Sequence, residues 1–198
     1  MITEFTKMPK VYYTNTGAEG NEKAIAMART MKGLPNGLVL SRWPSYHGCT
    51  SVAMSASGDF RQPMRGELPG HVRVRDSPLE YPARERLDEP SGPLDSEKAV
   101  AHWEEHLLKH GPENFACLLV EGRSCTSGVY LYDNMYLTRL EALCHKYDLI
   151  FIVDEVASGF WRTGAPMAFH HEDVKPDFVV CSKGMVNGEI PGGAVMFG

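Results

Sequence analysis

Short apolar runs alternate along this chain with amphipathic stretches, which predicts strands separated by helices. The apolar runs that have the length of buried strands cover residues 11–15, 38–41, 115–120, 149–153 and 178–181. Helical spacing covers Ala18 to Gly33, residue 95 or 96 to about His110, and Asp133 to Tyr147. This alternation favours an α/β fold with a mostly parallel sheet flanked by helices.

Three further segments qualify this picture. Residues 58–95 are rich in Pro, Gly and Arg, which predicts a long irregular segment over the sheet face. Met1 to Lys10 is polar and predicts a loose end. Gly192 to Gly198 begins another apolar strand at the end of the sequence, and we expect that strand to leave an unpaired sheet edge.

Composition narrows the class of protein. The chain of 198 residues is 43% hydrophobic and 23% charged, which is typical of a soluble globular protein. Its net charge of -5 offers no basic field for nucleic acid or anionic lipid, and no apolar run approaches a membrane span. Five scattered cysteines without a C-x-x-C pair indicate reduced thiols, so we expect a cytoplasmic protein.

A carboxylate and a lysine follow two of the predicted strands. Asp154, next to Glu155, ends the 149–153 run, and Lys183 follows the 178–181 run after one residue. In a parallel sheet both residues would reach the carboxyl edge, where ligands bind. Pyridoxal phosphate chemistry uses this pair, because a lysine amine forms a Schiff base and a carboxylate holds the pyridine nitrogen protonated. The plainer alternative is a strand-end acid and a solvated lysine.

The residues around this pair resemble those of a known family. The segment DEVASGFWRTG resembles the DEV-x-x-GF-x-RTG signature of class III pyridoxal-phosphate aminotransferases, and PDFVVCSKGMVNGEIPGGAV is similar to the segment around their Schiff-base lysine. The resemblance implies that Lys183 carries the cofactor, that Asp154 faces the pyridine nitrogen, and that Val156 packs on the ring.

A phosphate site is implied near the N-terminus. From Val11 the sequence predicts a strand, a glycine turn and the start of a helix, an arrangement that can bind anions. An ordinary capped helix without a ligand would have the same pattern. The segment NTGAEGNE resembles the family's N-[ST]-G-x-E-A-x-E segment, which places Gly17 and Ala18 at the phosphate. Ala18 stands where many members have serine or threonine, and Gly20 stands where alanine is usual.

A third match is the loop Tyr46-His47-Gly48, which resembles the family's aromatic-His-Gly loop. The resemblance implies that Tyr46 stacks on the pyridine ring and that His47 belongs to the cofactor site. A surface aromatic residue in a loop is the alternative.

Two features fit the family less well or not at all. The family commonly has Glu-Pro where this chain has Glu121-Gly122, and the RSCTSG that follows lacks the usual glycine-rich pattern. This departure concerns the substrate-facing loop. His102, His106 and His110 are spaced four apart, as zinc ligands can be, but without an H-E-x-x-H signature they predict a solvated helix face and no metal site.

The resemblance implies transamination between an amine or ω-amino acid and a 2-oxo acid. It makes residues 1–198 part of a single fold-type I large domain, without the family's full N-terminal segment and C-terminal small domain. It also implies a homodimer for the full-length parent. Aminomutase, decarboxylase and phospho-lyase chemistry stay open, as does a catalytically inactive truncated remnant. We expect residues 1–198 alone not to transaminate.

Overall fold

Seven β-strands form one sheet in the computed structural model, which describes residues 2–58, 66–76, 95–125, 129 and 131–198. The strands are β1 (Lys10–Thr14), β2 (Leu38–Arg42), β3 (His71–Val74), β4 (Phe115–Glu121), β5 (Ile150–Asp154), β6 (Phe178–Cys181) and β7 (Gly193–Phe197). Their order across the sheet is β1-β7-β6-β5-β4-β2-β3. The predicted α/β class with a mostly parallel sheet is confirmed.

Parallel pairing places the ends of the central strands at one edge. β3, β2, β4, β5 and β6 pair in parallel with their neighbours, whereas β7 is antiparallel to both β6 and β1. Glu121 pairs in register with Asp154, so these two carboxylates leave the sheet side by side. A connection to a parallel neighbour must cross over the sheet, and here helices make most of those crossings.

Five helices flank the sheet in the described ranges: α1 (Ile2–Thr6), α2 (Gly17–Met31), α3 (Ser51–Ala56), α4 (Ser96–His110) and α5 (Tyr136–Tyr147). Asp95 caps α4 by accepting hydrogen bonds from the amides of Glu97 and Lys98. Thr16 caps α2 by accepting one from the amide of Glu19, whose carboxylate accepts in turn from the amide of Asn15.

Alternation along the strands divides the core into two layers. Leu118 and Val120 of β4 pack with Trp103 of α4 and Leu137 of α5, whereas Cys117 and Leu119 pack with α2. Successive side chains of a strand point to opposite faces. The central strands are therefore apolar throughout, as expected for a sheet covered on both faces.

The structure corrects three sequence-based expectations. Residues 2–6 form the short helix α1, and β1 begins at Lys10, so the segment is not a loose end. The 58–95 segment contains β3, which pairs with β2; residues 59–65 and 77–94 of this segment lie outside the described residues. β7 is not an unpaired edge, because β6 and β1 bond to it on both sides. The sequence did not predict the interior position of β7, because the order of strands along the chain does not show that β1 pairs with its other edge.

Two smaller expectations concern the membrane and the cysteines. No helix in the described ranges is long and apolar enough to span a membrane. The cysteines are free thiols, as expected, and Cys117, Cys144 and Cys181 are buried. Burial raises the pKa of the Cys117 thiol to about 12.

Candidate active site

The Asp154 carboxylate stands at the end of β5 and is held by three donors. Its Oδ2 accepts from the side-chain amide of Asn21 at 2.7 Å and from Nδ1 of His47 at 2.9 Å. Its Oδ1 accepts from the backbone amide of Val156 at 2.9 Å. The residue is only 4% exposed, so its charge depends on these donors. This carboxylate is buried and fixed in orientation.

Lys183 follows β6 after one residue and begins a short 3-10 turn, Lys183–Met185. Its backbone φ is 37°, in the left-handed region that non-glycine residues adopt rarely and mainly where the surrounding structure imposes it. In the part of the chain that the structure describes, its ammonium group has no hydrogen bond or ion pair. The amine is therefore available to a ligand.

Helix α2 begins beside these residues. Its first residues, Gly17 and Ala18, have backbone amides without an intrahelical partner, as in the first turn of any helix. A Cβ on Gly17 would lie 2.6 Å from a methyl group of Val156 and 3.3 Å from Ser182, so glycine permits this close approach. The helix N-terminus is thereby placed within the same group of residues as Asp154 and Lys183, where it favours an anion.

The Tyr46-His47-Gly48 loop closes the opposite side. The backbone amide of His47 donates to the Ser57 hydroxyl at 2.8 Å, which ties the loop to the end of α3. A Cβ on Gly48 would lie 2.5 Å from the Cβ of Ala18, and its φ of 137° also favours glycine. The His47 ring is buried and its Nδ1 is directed at Asp154, so it contacts the carboxylate directly.

One cavity of about 210 Å³ brings the predicted residues together. All seven residues predicted from the sequence line it: Gly17, Ala18, Tyr46, His47, Asp154, Val156 and Lys183. A larger cavity of about 840 Å³ lies between the 4–9 and 166–176 segments, and none of the seven lines it. The smaller cavity is the candidate site, because it combines an amine, a buried carboxylate and a helix N-terminus.

Two buried glutamates adjoin the candidate site. Burial raises the pKa of Glu121 to about 7; the neighbouring Asp154 charge adds to the rise and His47 opposes it. Burial likewise raises the pKa of Glu155 to about 7, against hydrogen bonds from Ser158, Ala168 and Phe169. Glu121 lines the cavity, whereas Glu155 anchors the loop after β5 by accepting from the Phe169 amide at 2.9 Å.

Gly122 gives a physical reason for the departure from Glu-Pro. A Cβ at this position would lie 2.4 Å from a carboxylate oxygen of Glu155, so a residue without a side chain leaves room for that buried acid. Of the segment that follows, residues 126–128 and 130 lie outside the described residues.

The sequence interpretation missed several residues of the site. Asn21, which contacts Asp154, lies one helical turn after Gly17, and that i, i+4 spacing could have identified it. Glu121 ends a strand beside Asp154, and the strand-end argument applied to Asp154 covers it equally. No local pattern indicated that the cavity lining would include Thr16, Cys49, Arg123, Ala157 and Ser182.

The three histidines of α4 lie away from this cavity. His102 and His106 are at most half-buried on α4, and His106 and His110 each bond through Nδ1 to a backbone oxygen one turn earlier. Among the residues with described positions, no group of three His, Cys, Asp or Glu side chains could hold a metal ion.

Comparison with known proteins identifies relatives along the whole chain. The taurine–pyruvate aminotransferase of Rhodobacter capsulatus is 33% identical over 194 residues, which cover 95% of this chain and 41% of that protein. A probable gamma-aminobutyrate transaminase 4 of Oryza sativa is 32% identical over 205 residues, covering 99% and 42%. The chain thus spans about two fifths of the length of these curated relatives.

Solved structures share the fold. A taurine:2-oxoglutarate aminotransferase from Bifidobacterium kashiwanohense, in complex with PLP and glutamate, matches with a TM-score of 0.86 and 34% identity over 99% of this chain and 44% of its own. The PMP-bound form of an aminotransferase from Vibrio fluvialis matches with a TM-score of 0.82 and 30% identity over 100% and 44%. The predicted fold-type I architecture is confirmed. A family model described as aminotransferase class-III matches residues 1–197, and the chain belongs to the class III aminotransferases.

Proposed function

We propose that this chain forms the pyridoxal 5′-phosphate site of an aminotransferase that moves an amino group between an amine or ω-amino acid donor and a 2-oxo acid. One observation carries the proposal: a lysine amine without a partner in the described ranges and a buried, hydrogen-bonded aspartate open onto a single cavity at a helix N-terminus. Each feature alone is common, but together they match what this cofactor requires.

The unpartnered polar atoms of the site fit such a ligand. Nε2 of His47 and Oε2 of Glu121 are buried, belong to residues that line the cavity, and have no hydrogen-bond partner within the described ranges. Buried polar atoms without a partner are rare in proteins, and a bound ligand or water is the usual reason for them. The cavity thus has buried polar positions open to a polar ligand.

Each residue would have a distinct part in holding the cofactor. Asp154 would hold the protonated pyridine nitrogen, and Lys183 would bind the aldehyde carbon through Nζ. The amides of Gly17 and Ala18 would bind the phosphate, because the positive end of a helix dipole points at it. Tyr46 would cover one face of the ring and Val156 the other; His47 lines the site and holds Asp154.

Pyridoxal phosphate, when bound, supplies an aldehyde for the amino group and a ring that accepts electrons from the substrate carbon. Lys183 would hold and move the proton at that carbon, because its amine opens onto the same cavity. Asp154 contributes a fixed negative charge that stabilises positive charge at the ring nitrogen. The buried setting excludes water from that contact, which strengthens it.

The names of the relatives support a proposal about the substrate class. Proteins 33% and 32% identical to this chain are named for taurine with pyruvate and for gamma-aminobutyrate. Taurine and gamma-aminobutyrate both carry a terminal amine at a distance from an acid group. We propose that the donor is of this ω-amino acid class, that the acceptor is a small 2-oxo acid, and that the active protein is a cytoplasmic homodimer.

An assay with cofactor, donor and acceptor tests the proposal. The full-length parent that we propose for this chain is incubated with pyridoxal phosphate, taurine or gamma-aminobutyrate, and pyruvate or 2-oxoglutarate, and new amino acid is quantified by chromatography. We expect amino transfer by the wild type, none by Lys183→Met, and wild-type rates from Lys109→Met, which changes an exposed lysine of α4. Product from Lys183→Met, or decarboxylated or eliminated products instead of amino transfer, would contradict the proposal.

The behaviour of residues 1–198 alone stays a prediction. We expect this chain by itself to show no turnover and no stable dimer. Its mass in solution and the same assay test this, and a well-folded dimer with steady turnover would show that these residues contain a complete active site.

A further inference from the structure

The side chain of Asn21 connects three elements at the floor of the site. Asn21 lies in the second turn of α2 and is 1% exposed. Its Nδ2 donates to Oδ2 of Asp154 at 2.7 Å and to the backbone oxygen of His47 at 2.8 Å. Both hydrogens of the amide nitrogen are therefore used, one on the strand-end carboxylate and one on the aromatic-His-Gly loop.

The orientation of this amide is fixed by its neighbours. Both atoms near Nδ2 are acceptors, a carboxylate oxygen and a carbonyl oxygen. A flipped amide would set its own oxygen against both of them, which is repulsive and leaves two buried acceptors without a donor. In the present orientation Oδ1 has no partner in the described part of the chain, so Asn21 acts here only as a donor.

Asn21 stabilises the Asp154 charge without cancelling it. An arginine or lysine at this position would neutralise the carboxylate, whereas a side-chain amide supplies a hydrogen bond and no net charge. The same Oδ2 also accepts from His47, and Oδ1 accepts from the Val156 amide. These three donors hold Asp154 in one orientation, as a contact to a ring nitrogen requires.

Asn21 can contact Asp154 because α2 lies close to the sheet. A Cβ on Gly20, next to Asn21, would lie 2.7 Å from a methyl group of Val180 in β6. Glycine at this position therefore lets the helix lie directly on the strands that carry Asp154 and lead to Lys183. The departure from the usual alanine has a packing reason that also serves Asn21.

We propose that Asn21 is a positioning residue that fixes the Asp154 carboxylate and the His47 loop to receive the ring nitrogen of pyridoxal phosphate. The inference rests on the proposed function, because that function assigns the ring nitrogen to Asp154. Asn21 does not contact the reacting atoms. It acts through Asp154, so its loss weakens and reorients a contact that the other residues still make.

Two spectroscopic measurements and one binding constant test this role. Asn21→Leu removes both donors at nearly constant size, and Asn21→Ser is a smaller, polar second variant should the first not fold. Asn36→Leu changes an exposed asparagine of the α2–β2 loop and serves as the control. The readouts are the dissociation constant of pyridoxal phosphate, the ¹⁵N shift of its labelled ring nitrogen, and the His47 Nδ1 proton resonance in cofactor-free protein.

We expect the Asn21 variants to bind the cofactor roughly tenfold to a hundredfold more weakly, the range for losing a hydrogen bond to a charged group. The ring nitrogen should be less protonated at a given pH, and the His47 resonance should move or broaden even without cofactor. Asn36→Leu should match the wild type in all three.

The outcomes separate this inference from the proposed function. A wild type that binds no pyridoxal phosphate would refute the proposed function, and with it the role of Asn21 toward the ring. Wild-type binding together with an unchanged ring-nitrogen shift and His47 resonance in folded Asn21 variants would refute the role of Asn21 alone.

Discussion

Two buried aspartates of this protein are held in opposite ways. Asp76, after β3, accepts from Arg42 Nε at 3.0 Å, Tyr132 at 2.9 Å, Trp103 Nε1 at 3.0 Å and Tyr136. In the described ranges, every buried side-chain polar atom of Asp76 and of these four residues has a hydrogen-bond partner. Asp154 has three donors, none of them from an arginine or lysine, and three residues of its group retain unpartnered atoms: Asn21, His47 and Glu121.

The difference separates a structural cluster from a binding site. Around Asp76 the arginine supplies the opposite charge and the aromatic donors complete the hydrogen bonding, so nothing is left for a ligand. Around Asp154 no arginine or lysine of the described ranges donates to the carboxylate, and the cavity beside it holds a free amine. A satisfied network stabilises the fold, whereas a network with open positions retains affinity for another molecule.

The largest expected effect is on turnover of the full-length parent, from Asp154→Asn. Asparagine keeps the size but cannot hold a charged ring nitrogen as a carboxylate does. We expect turnover to fall about 10³- to 10⁴-fold, roughly 4 to 5.5 kcal/mol, with the fold intact. Steady-state kinetics and circular dichroism measure the two effects, and near wild-type turnover would show that Asp154 has been assigned the wrong role.

The next effect is on stability, from Asp76→Asn. Removing this charge leaves Arg42 buried without its opposite charge, which should lower the free energy of unfolding by about 3 to 5 kcal/mol. Asp148→Asn is the control, because its side chain is 94% exposed and its pair with Lys32 should contribute at most about 1 kcal/mol. Urea unfolding gives both values; equal losses would show that the buried Arg42–Asp76 pair contributes no more to stability than an exposed pair.

Glu121→Gln should change how stability depends on pH. The folded-state pKa of about 7 lies above the ordinary 4.5, so the folded protein binds more protons than the unfolded chain between these values. Stability is therefore lost as pH rises through this window and stays low above it. Glutamine cannot ionise. Between pH 5 and pH 8 the free energy of unfolding of the variant should therefore fall by about 2 kcal/mol less than that of the wild type.

Urea unfolding of the cofactor-free protein at both pH values measures this difference. Glu113→Gln, which changes an exposed carboxylate, is the control and should follow the wild type. A Glu121→Gln variant whose stability depends on pH as the wild type's does would contradict a raised pKa of Glu121 in the folded protein.

The smallest expected effect comes from the histidines of α4, which belong to neither cluster. His106→Ala should change the free energy of unfolding by less than about 0.5 kcal/mol. Protein purified without an affinity tag should contain no stoichiometric metal by mass spectrometry. Zinc that is bound in the wild type and lost in this variant would contradict the interpretation of these histidines as a solvated face.

The sequence predicted the parts of the site that depend on local pattern. Asp154 and Lys183 each follow a short apolar run, and strand ends meet at one edge once the sheet is parallel. Boundaries were mostly within a few residues because buried runs and caps such as Asp95 are local features. The roles assigned to the seven site residues stay predictions, although the structure places all seven around one cavity.

The rest depends on long-range packing that no local pattern contains. The Asp76 cluster joins β2, α4 and α5, whose sequence positions are far apart. The interior position of β7 requires β1 to cross to its far side, and β3 lies in a segment whose composition suggested no strand. In the sequence Asn21 is one of several polar residues of an amphipathic helix, and only the fold shows that it contacts Asp154.

The most direct test of the account is to locate the lysine that binds the cofactor. The protein is incubated with pyridoxal phosphate, reduced with borohydride and digested, and the labelled peptide is sequenced by mass spectrometry. Among the described lysines, only Lys183 has a free amine in the cavity that Asp154 lines, so we expect the label on Lys183 and its loss in Lys183→Met. Label distributed over other lysines, or unchanged labelling of Lys183→Met, would contradict the assignment of this cavity as the cofactor site.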